Sequence, residues 1–298
     1  MNTGFDYQAK RSLETVEDVR RAIEITVLNY FCDQLGWSEP SCRERVLIEE
    51  KRLIPKTVLD ELAPFGWNCE GRKILEVGAG QGAMILELLE RGADAYGVEP
   101  GREFTTLARM RLNAAGHDPL RIYERPGESL PFPDSSFDYV ISLQVLEHVL
   151  DPAPVLQEIF RVLKPGGQCH LRCDNYLSFL EPHYRVRWLP LMPKTIGALY
   201  LRLLGRDPGF LKKYVHYTTY PQIWRICSHV GFTNVTYRDL WQKFQQPARI
   251  RTSYLRIVVY FLQRLPQYVA KRLVYGFAHS QNFLRSNLSV TLQKPVCK

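Results

Sequence analysis

An α/β fold is what this sequence predicts: a parallel sheet with helices packed on both of its faces. Two observations carry the prediction. Short apolar runs alternate with stretches of helical periodicity between residues 73 and 173, and a glycine-rich turn joins the first run to the first helix of that series. Such an alternation closes into parallel strand pairs, because each helix carries the chain back along one face of the sheet.

The elements follow in order. Residues 12–62 set apolar side chains at helical spacing (Val16, Val19, Ala22, Ile23 and Val27, later Leu53, Val58 and Leu62), with a break near 36–40. Lys73–Val77 reads as a buried strand and runs into Gly78-Ala79-Gly80-Gln81-Gly82. A helix through Met84, Ile85, Leu88 and Leu89 stops at Gly92. Strand 95–98, helix 103–115, strands 120–124 and 138–142, helix 152–163 and strand 168–173 continue the series. The rhythm then loosens. Residues 176–215 are rich in Tyr, Trp, Arg and Leu, with prolines at 182, 190, 193 and 208, and read as an insertion with helical pieces. Pattern returns with helix 220–231 and strand 233–238, and a last strand at 288–292 lies beyond a second insertion, 241–286. The organisation expected is an N-terminal helical cap, 1–62, and one domain, 63–298, that carries both insertions.

The chain of 298 residues, 45% hydrophobic and 23% charged, suits one large globular domain with insertions. Met1 to Asp18 is polar and lacks the apolar run of a signal peptide, and no stretch approaches the ~18 apolar residues of a membrane span. A cytosolic protein is expected. The seven cysteines are scattered and odd in number, with no C-x-x-C pair, so neither a disulfide framework nor a zinc site is expected. Charge is divided unevenly. From Tyr184 to Lys298 there are 19 Lys and Arg against only Asp207 and Asp239, a balance of +17, whereas residues 1–183 carry −9. That asymmetry points to an anionic partner: a membrane surface, phosphate groups or nucleic acid.

The glycine-rich turn lets backbone approach a ligand and aims helix N–H groups at it. Gly78, Gly80 and Gly82 fit one G-x-G-x-G pattern, while Gly78, Gly80 and Ala83 equally satisfy the G-x-G-x-x-A variant of the dinucleotide fingerprint. Glu99, about 20 residues on, can accept the hydroxyl hydrogens of a ribose under either reading. The turn thus names an adenosine-type ligand and leaves the reaction open.

Later motifs separate the two. Ile74-Leu75-Glu76-Val77-Gly78-Ala79-Gly80-Gln81-Gly82, Val98-Glu99-Pro100, the run from Ser129 to Asp138, Val145-Leu146-Glu147-His148-Val149 and Leu163-Lys164-Pro165-Gly166-Gly167 stand in this order over residues 70–175. Together they resemble the class I S-adenosylmethionine-dependent methyltransferases, small-molecule type, and in particular the ubiquinone-biosynthesis O-methyltransferases. The resemblance leaves out the first 60 residues and the detail of both insertions. It implies a Rossmann-like, seven-stranded, mostly parallel sheet whose last strand is antiparallel, with S-adenosylmethionine as cofactor. It implies that Glu76, Gly78, Ala79 and Gly80 face the methionine moiety and Glu99 the ribose. Pro126 stands where an acid usually holds the adenine amino group, so that role passes to Glu128, with Gly127 backbone. Ser142 and Gln144 would lie beside the sulfonium.

Methyl transfer from a sulfonium needs an aligned nucleophile and help in losing its proton. Glu147 and His148 are the candidate catalytic pair, expected on the helix after the fourth strand, with His148 as base. In the ubiquinone-type relatives this region reads E-x-x-E-H, and its acids and histidine are linked to a divalent metal. Gln144 replaces the first acid, so no metal is expected. Asp174, Asn175, His183, His216 and Tyr217 are further candidates for acceptor contact.

A base-amino methyltransferase would carry an Asn- or Asp-Pro-Pro-aromatic run where Ser142-Leu143-Gln144-Val145 stands, and no Pro-Cys nucleophile is present. Nucleic acid is therefore not the expected substrate, although the basic half could meet RNA phosphates. The insertions interleave apolar and aromatic residues with cations; Arg249, Arg256, Arg264 and Lys271 recur about every seven or eight residues beside the apolar run 254–262. That pattern suits a lid lying in a membrane interface. The reading is methyl transfer, on oxygen before carbon or nitrogen, to a small, hydrophobic or lipid-linked acceptor, by a cytosolic protein that can sit peripherally on an anionic membrane. An RNA methyltransferase, or a methyltransferase-like binding protein without turnover, are the alternatives.

Overall fold

The computed structural model describes residues 15–245 and 259–296. Helix α1 (Val16–Val27) is opened by Thr15, whose hydroxyl accepts from Asp18 N while the Asp18 carboxylate accepts from Thr15 N. A π-helical turn (Leu28–Gln34) leads into α2 (Glu39–Glu50) and α3 (Leu53–Leu62).

The sheet then begins: β1 (Lys73–Val77), α4 (Ala83–Glu90), β2 (Asp94–Val98), α5 (Arg102–Ala114), β3 (Ile122–Tyr123), β4 (Phe137–Leu143), α6 (Pro152–Val162) and β5 (Leu163–Asp174). The first insertion holds a hairpin, β6 (Leu180–Glu181) and β7 (Val186–Arg187), and helices α7 (Lys194–Leu203) and α8 (Gly209–Tyr214). Helix α9 (Tyr220–Val230), β8 (Thr233–Asn234), α10 (Tyr237–Gln245), α11 (Gln267–Leu284) and β9 (Asn287–Gln293) complete the described chain. Seven strands pair in the order β3-β2-β1-β4-β5-β9-β8. The pairs from β3 to β5 are parallel, and β9 runs antiparallel to β5 and β8.

Both faces are covered, as strands apolar on both sides require. On one side α6 and α9 bury Val155, Ile159, Ile223 and Cys227 against Leu75, Val140 and Leu171. On the other, α3, α4 and α5 bury Val58, Leu62, Ile85, Leu88 and Leu112 against Ile74 and Ile141. The 129–138 run is strapped to α6: Leu130 N donates to Glu158 Oε2 at 2.8 Å, and Arg161 donates to the carbonyls of Leu130 and Phe132. Helices α1 and α2 form a smaller cluster with Leu107 of α5.

Several expectations are revised. Glu147 and His148 lie in a tight turn (Leu146–His148), not on a helix; the helix starts at Pro152, behind Asp151, whose carboxylate caps Ala153 N. The predicted strand 233–238 is only Thr233–Asn234, followed by α10, so the second insertion opens earlier. The strand at 120–124 shortens to Ile122–Tyr123 behind a 3₁₀ turn. Cys32 and Cys42 form a disulfide between the π-helical turn and α2, a pairing their ten-residue spacing did not suggest. Arg249, Arg256 and most of the 254–262 run lie outside the described residues. Among those described, no helix is long and apolar enough to cross a membrane.

Candidate active site

Strands β1, β2 and β3 lie on one side of the β1–β4 pair, and β4 and β5 on the other. Neighbouring connections therefore leave in opposite directions and open a crevice at the strands' carboxyl ends, where ligands bind in such sheets. Glu76 and Ser142 stand at that edge, one register step apart, on β1 and β4. Both are buried, and Glu76 Oε2 and Ser142 Oγ have no hydrogen-bond partner there. Burial pushes the Glu76 carboxyl well above the usual carboxylate range, and the charge of Glu99 adds to this.

The turn after β1 has the conformation its glycines allow. Gly78, Gly80 and Gly82 have φ of 80°, 48° and 74°, a region that disfavours other residues. A Cβ on Gly78 would stand 2.2 Å from Val145 Cγ2, whereas one on Gly80 would meet nothing within 4 Å. Gly78 and Ala79 both donate to Val98 O at 2.9 Å. Glu99 ties this turn to the next: its carboxylate accepts from Gly80 N at 3.0 Å and from Gly101 N at 2.9 Å. Burial raises the Glu99 carboxyl; those two N–H groups oppose the rise. Gly127 lies buried against Val77 and Val155, and Glu128 is exposed beside it.

A second group of polar residues sits past β4 and β5. Gln144, held at φ 55°, donates from Nε2 to Asp174 Oδ1 at 2.8 Å. Glu147 is fully buried, and neither carboxylate oxygen has a partner among the described residues. Burial raises its carboxyl, and the nearby Asp174 charge raises it further. His148 Nδ1 lies 2.9 Å from Tyr214 O. A carbonyl only accepts, so Nδ1 carries the proton and Nε2 the lone pair. Burial, reinforced by the charge of His183, lowers His148 to about 4.

His183 comes from the hairpin turn of the insertion. Its Nδ1 lies 3.2 Å from Glu181 Oε1 and 3.3 Å from Asp174 Oδ2. Burial alone would lower its pKa, but the Glu181 hydrogen bond and the Asp174 charge outweigh that and raise it to about 9. Phe210 packs against both imidazoles, with ring centroids 5.9 Å from His148 and 5.1 Å from His183.

The structure thus brings Glu76, Gly78, Ala79, Gly80, Glu99 and Ser142 to one edge, and sets Gln144, Glu147 and His148 beside Asp174 and His183. Of this last grouping, Glu147 and His148 are the expected catalytic pair and Gln144 the expected neighbour of the sulfonium, whereas the sequence offers Asp174 and His183 only as acceptor contacts. Pairings within the grouping span the separation of a strand from an insertion, which no local pattern encodes. Asn175 and Tyr217 have other duties: Asn175 Nδ2 donates to the carbonyls of Asn282, Phe283 and Arg285, and Tyr217 OH donates to Met192 O.

A methyltransferase-domain family matches residues 75–171. A ubiquinone biosynthesis O-methyltransferase of Psychrobacter arcticus is 29% identical over 198 residues, covering 63% of this chain and 71% of that protein. The protein of that name from Pseudomonas aeruginosa is 36% identical over 149 residues, 49% of this chain and 59% of its own length. Among solved structures, a putative sarcosine dimethylglycine methyltransferase from Galdieria sulphuraria superposes with a TM-score of 0.53 at 16% identity, covering 93% of this chain and 98% of that one. The fold is therefore shared with methyltransferases along most of the chain, whereas sequence similarity to the two curated proteins spans from about three fifths to seven tenths of their lengths.

The residues fit S-adenosylmethionine. The buried, unpaired Glu76 oxygen suits an α-amino group, Gly80 leaves its side-chain position open, and Glu99 keeps lone pairs free beyond its two backbone bonds.

Proposed function

We propose that this chain, which belongs to the class I S-adenosylmethionine-dependent methyltransferases, transfers the methyl group to an oxygen of a small, hydrophobic or lipid-linked acceptor. The observation that carries the acceptor half is the Glu147–His148–His183 group, buried at Glu147 and half-buried at the two histidines, adjoining the Glu76–Gly78–Gly80 edge, with Val145 in contact range of Gly78. The sulfonium supplies an already activated methyl carbon. What remains for the chain is to align the nucleophile and handle its proton. An amine can react through a neutral lone pair, but a hydroxyl must shed its proton to become a good nucleophile. The fixed tautomer of His148 leaves a lone pair on Nε2 for that purpose, and Glu147 precedes it in the same turn.

A hydrophobic acceptor is supported by what covers this group. The first insertion packs Tyr176, Tyr184, Trp188, Leu201 and Phe210 into its own apolar cluster. Its outer side leaves Leu189 at 62% exposure and Leu203 at 78%, among Arg187, Arg202 and Lys212. Apolar side chains set among cations suit an anionic lipid surface from which such an acceptor would be drawn.

Two experiments test the reading. Calorimetric titration with S-adenosylhomocysteine should give micromolar binding, followed by methylation of catechol-type hydroxyls in preference to amines; transfer to amines alone would remove the oxygen assignment. Flotation with vesicles should carry the protein with phosphatidylglycerol but not with phosphatidylcholine alone. Equal behaviour on both would remove the membrane surface.

A further inference from the structure

We infer that the Cys32–Cys42 disulfide is a redox-sensitive clasp: a dithiol that reduces it frees the segment gripping the first insertion, so that the acceptor side loosens while the cofactor edge stays intact. In naming the acceptor side, the inference rests on the reading above.

The bond joins the π-helical turn to α2 and closes a ring of residues 32–42. Residues 35–37 of that ring hold the insertion. Leu35 is buried among Tyr176, Tyr184 and Phe210, and its carbonyl accepts from Arg206 Nη1 at 3.1 Å. Trp37 Nε1 donates to the His183 carbonyl at 2.6 Å, and the Arg185 guanidinium lies over the Trp37 ring, 3.6 Å from its centroid. Backbone bonds fold the same residues onto the turn before them: Gly36 N donates to Cys32 O at 3.0 Å, and Trp37 N to Phe31 O at 2.8 Å. A cross-link around so short a ring removes most of the open conformations the segment would otherwise visit, and its reduction restores them.

The cofactor edge has no such dependence. Val19, Ile23, Val27 and Val46 bury against Leu107 of α5. Arg20 Nε donates to Glu50 Oε1 at 2.9 Å, and Arg111 Nη2 to Glu49 O at 3.3 Å. These contacts keep α1 and α2 on the sheet whether or not the two sulfurs are joined.

The exchange has a defined point of entry. Cys32 is half-buried and Cys42 fully buried, so an incoming thiolate meets Cys32 Sγ. The attacking sulfur bonds to Cys32 Sγ, the Cys32–Cys42 bond breaks, and Cys42 leaves as a thiolate that takes up a proton. The second sulfur of the dithiol then displaces Cys32, which is protonated in turn. Two electrons and two protons pass to the protein, and the dithiol becomes a cyclic disulfide.

The test uses the full chain, oxidised with glutathione disulfide or reduced with dithiothreitol. Alkylation after denaturation should add two labels on reduction, at Cys32 and Cys42. Amides of residues 180–190 should exchange hydrogen roughly fivefold faster or more in the reduced protein, read by mass spectrometry. The KM for a catechol should rise by a similar factor, while calorimetric affinity for S-adenosylhomocysteine changes less than about twofold. Cys32→Ser/Cys42→Ser should behave as reduced protein under both conditions, and Cys69→Ser, at a free cysteine, as wild type. Four results would each overturn the inference: Cys32 and Cys42 still alkylated after oxidation, equal exchange in the two states, cofactor affinity lost on reduction, or a dithiol response that persists in the double variant. Exchange that depends on reduction, in a protein that methylates no catechol, upholds the clasp and fails the acceptor reading instead.

Discussion

Replacing Gly78 with alanine should damage cofactor binding through one identifiable contact. The added Cβ would lie 2.2 Å from Val145 Cγ2, far inside the ~3.5–4.0 Å at which carbon atoms rest. Overpacking of this kind costs about 1–3 kcal/mol. The turn also holds Gly78 at φ 80°, which adds roughly 1–2 kcal/mol for a residue with a side chain. Shortening Val145 to alanine removes the offending methyl, and the next atom, Val145 Cβ, would be 3.5 Å away, an ordinary contact. Gly78→Ala should therefore lose about 2–5 kcal/mol of folding or cofactor-binding free energy. The double variant Gly78→Ala/Val145→Ala should recover the steric part and keep only the φ penalty. Urea denaturation and calorimetric titration with S-adenosylhomocysteine on the four proteins complete the cycle. A coupling of about 1–3 kcal/mol is expected. Additivity within ~0.5 kcal/mol would refute the reasoning, and with it the claim that the glycine turn bears directly on the segment carrying Gln144 and Glu147.

Three further outcomes are expected. Glu99→Ala removes the acceptor for Gly80 N and Gly101 N together with the proposed ribose contact; since hydrogen bonds to a charged group are worth about 1.5–3 kcal/mol, S-adenosylhomocysteine affinity should fall at least tenfold by calorimetry. Glu76 has a folded-state pKa raised by burial, so its protonated form favours the fold. That contribution is fully present below the ordinary carboxylate pKa and is lost as pH rises from there through the raised value. Glu76→Gln should thus stabilise the cofactor-free protein at pH 8 relative to pH 5, by about 1.4 kcal/mol for each unit of upward displacement within that window, as read from urea midpoints. Asn175→Ala leaves three carbonyls without their donor and should cost about 2–4 kcal/mol in urea denaturation, while cofactor affinity changes less than twofold.

The cofactor edge was legible because its requirements are local. Gly78, Gly80 and Gly82 occupy positive-φ positions that glycine tolerates, and Glu99 reaches back to Gly80 N across a single βαβ unit. The resemblance those motifs carry likewise implied the sheet, down to the antiparallel strand near the end. Less was legible where a pattern admits two structures. Val235-Thr236-Tyr237 alternates like a strand, and Val235 N still donates to Thr291 O of β9, but the chain then turns directly into α10 at Tyr237. Glu147 and His148 looked helical beside their apolar neighbours, although the Asp151-Pro152 start signal lies only three residues on.

The proposed acceptor side was hardest to read where His183 joins it, from a segment the shared motifs do not reach. His183 is positioned by the N-terminal helices as much as by its own hairpin. Trp37 Nε1 donates to the His183 carbonyl at 2.6 Å, and the Arg185 guanidinium lies 3.6 Å from the Trp37 ring centroid. Arg206 Nη1 donates to Leu35 O, and its guanidinium comes so near Gly36 that a Cβ there would stand 2.6 Å from Nη1. Leu35, Tyr30 and Phe31 enter the same apolar cluster as Tyr184 and Phe210. The disulfide Cys32–Cys42 closes the segment that presents these residues. The N-terminal helices and the first insertion therefore form one packed unit against the end of the sheet. A change of acceptor in this architecture would require both to change together, whereas the glycine turn and Glu99 could stay as they are.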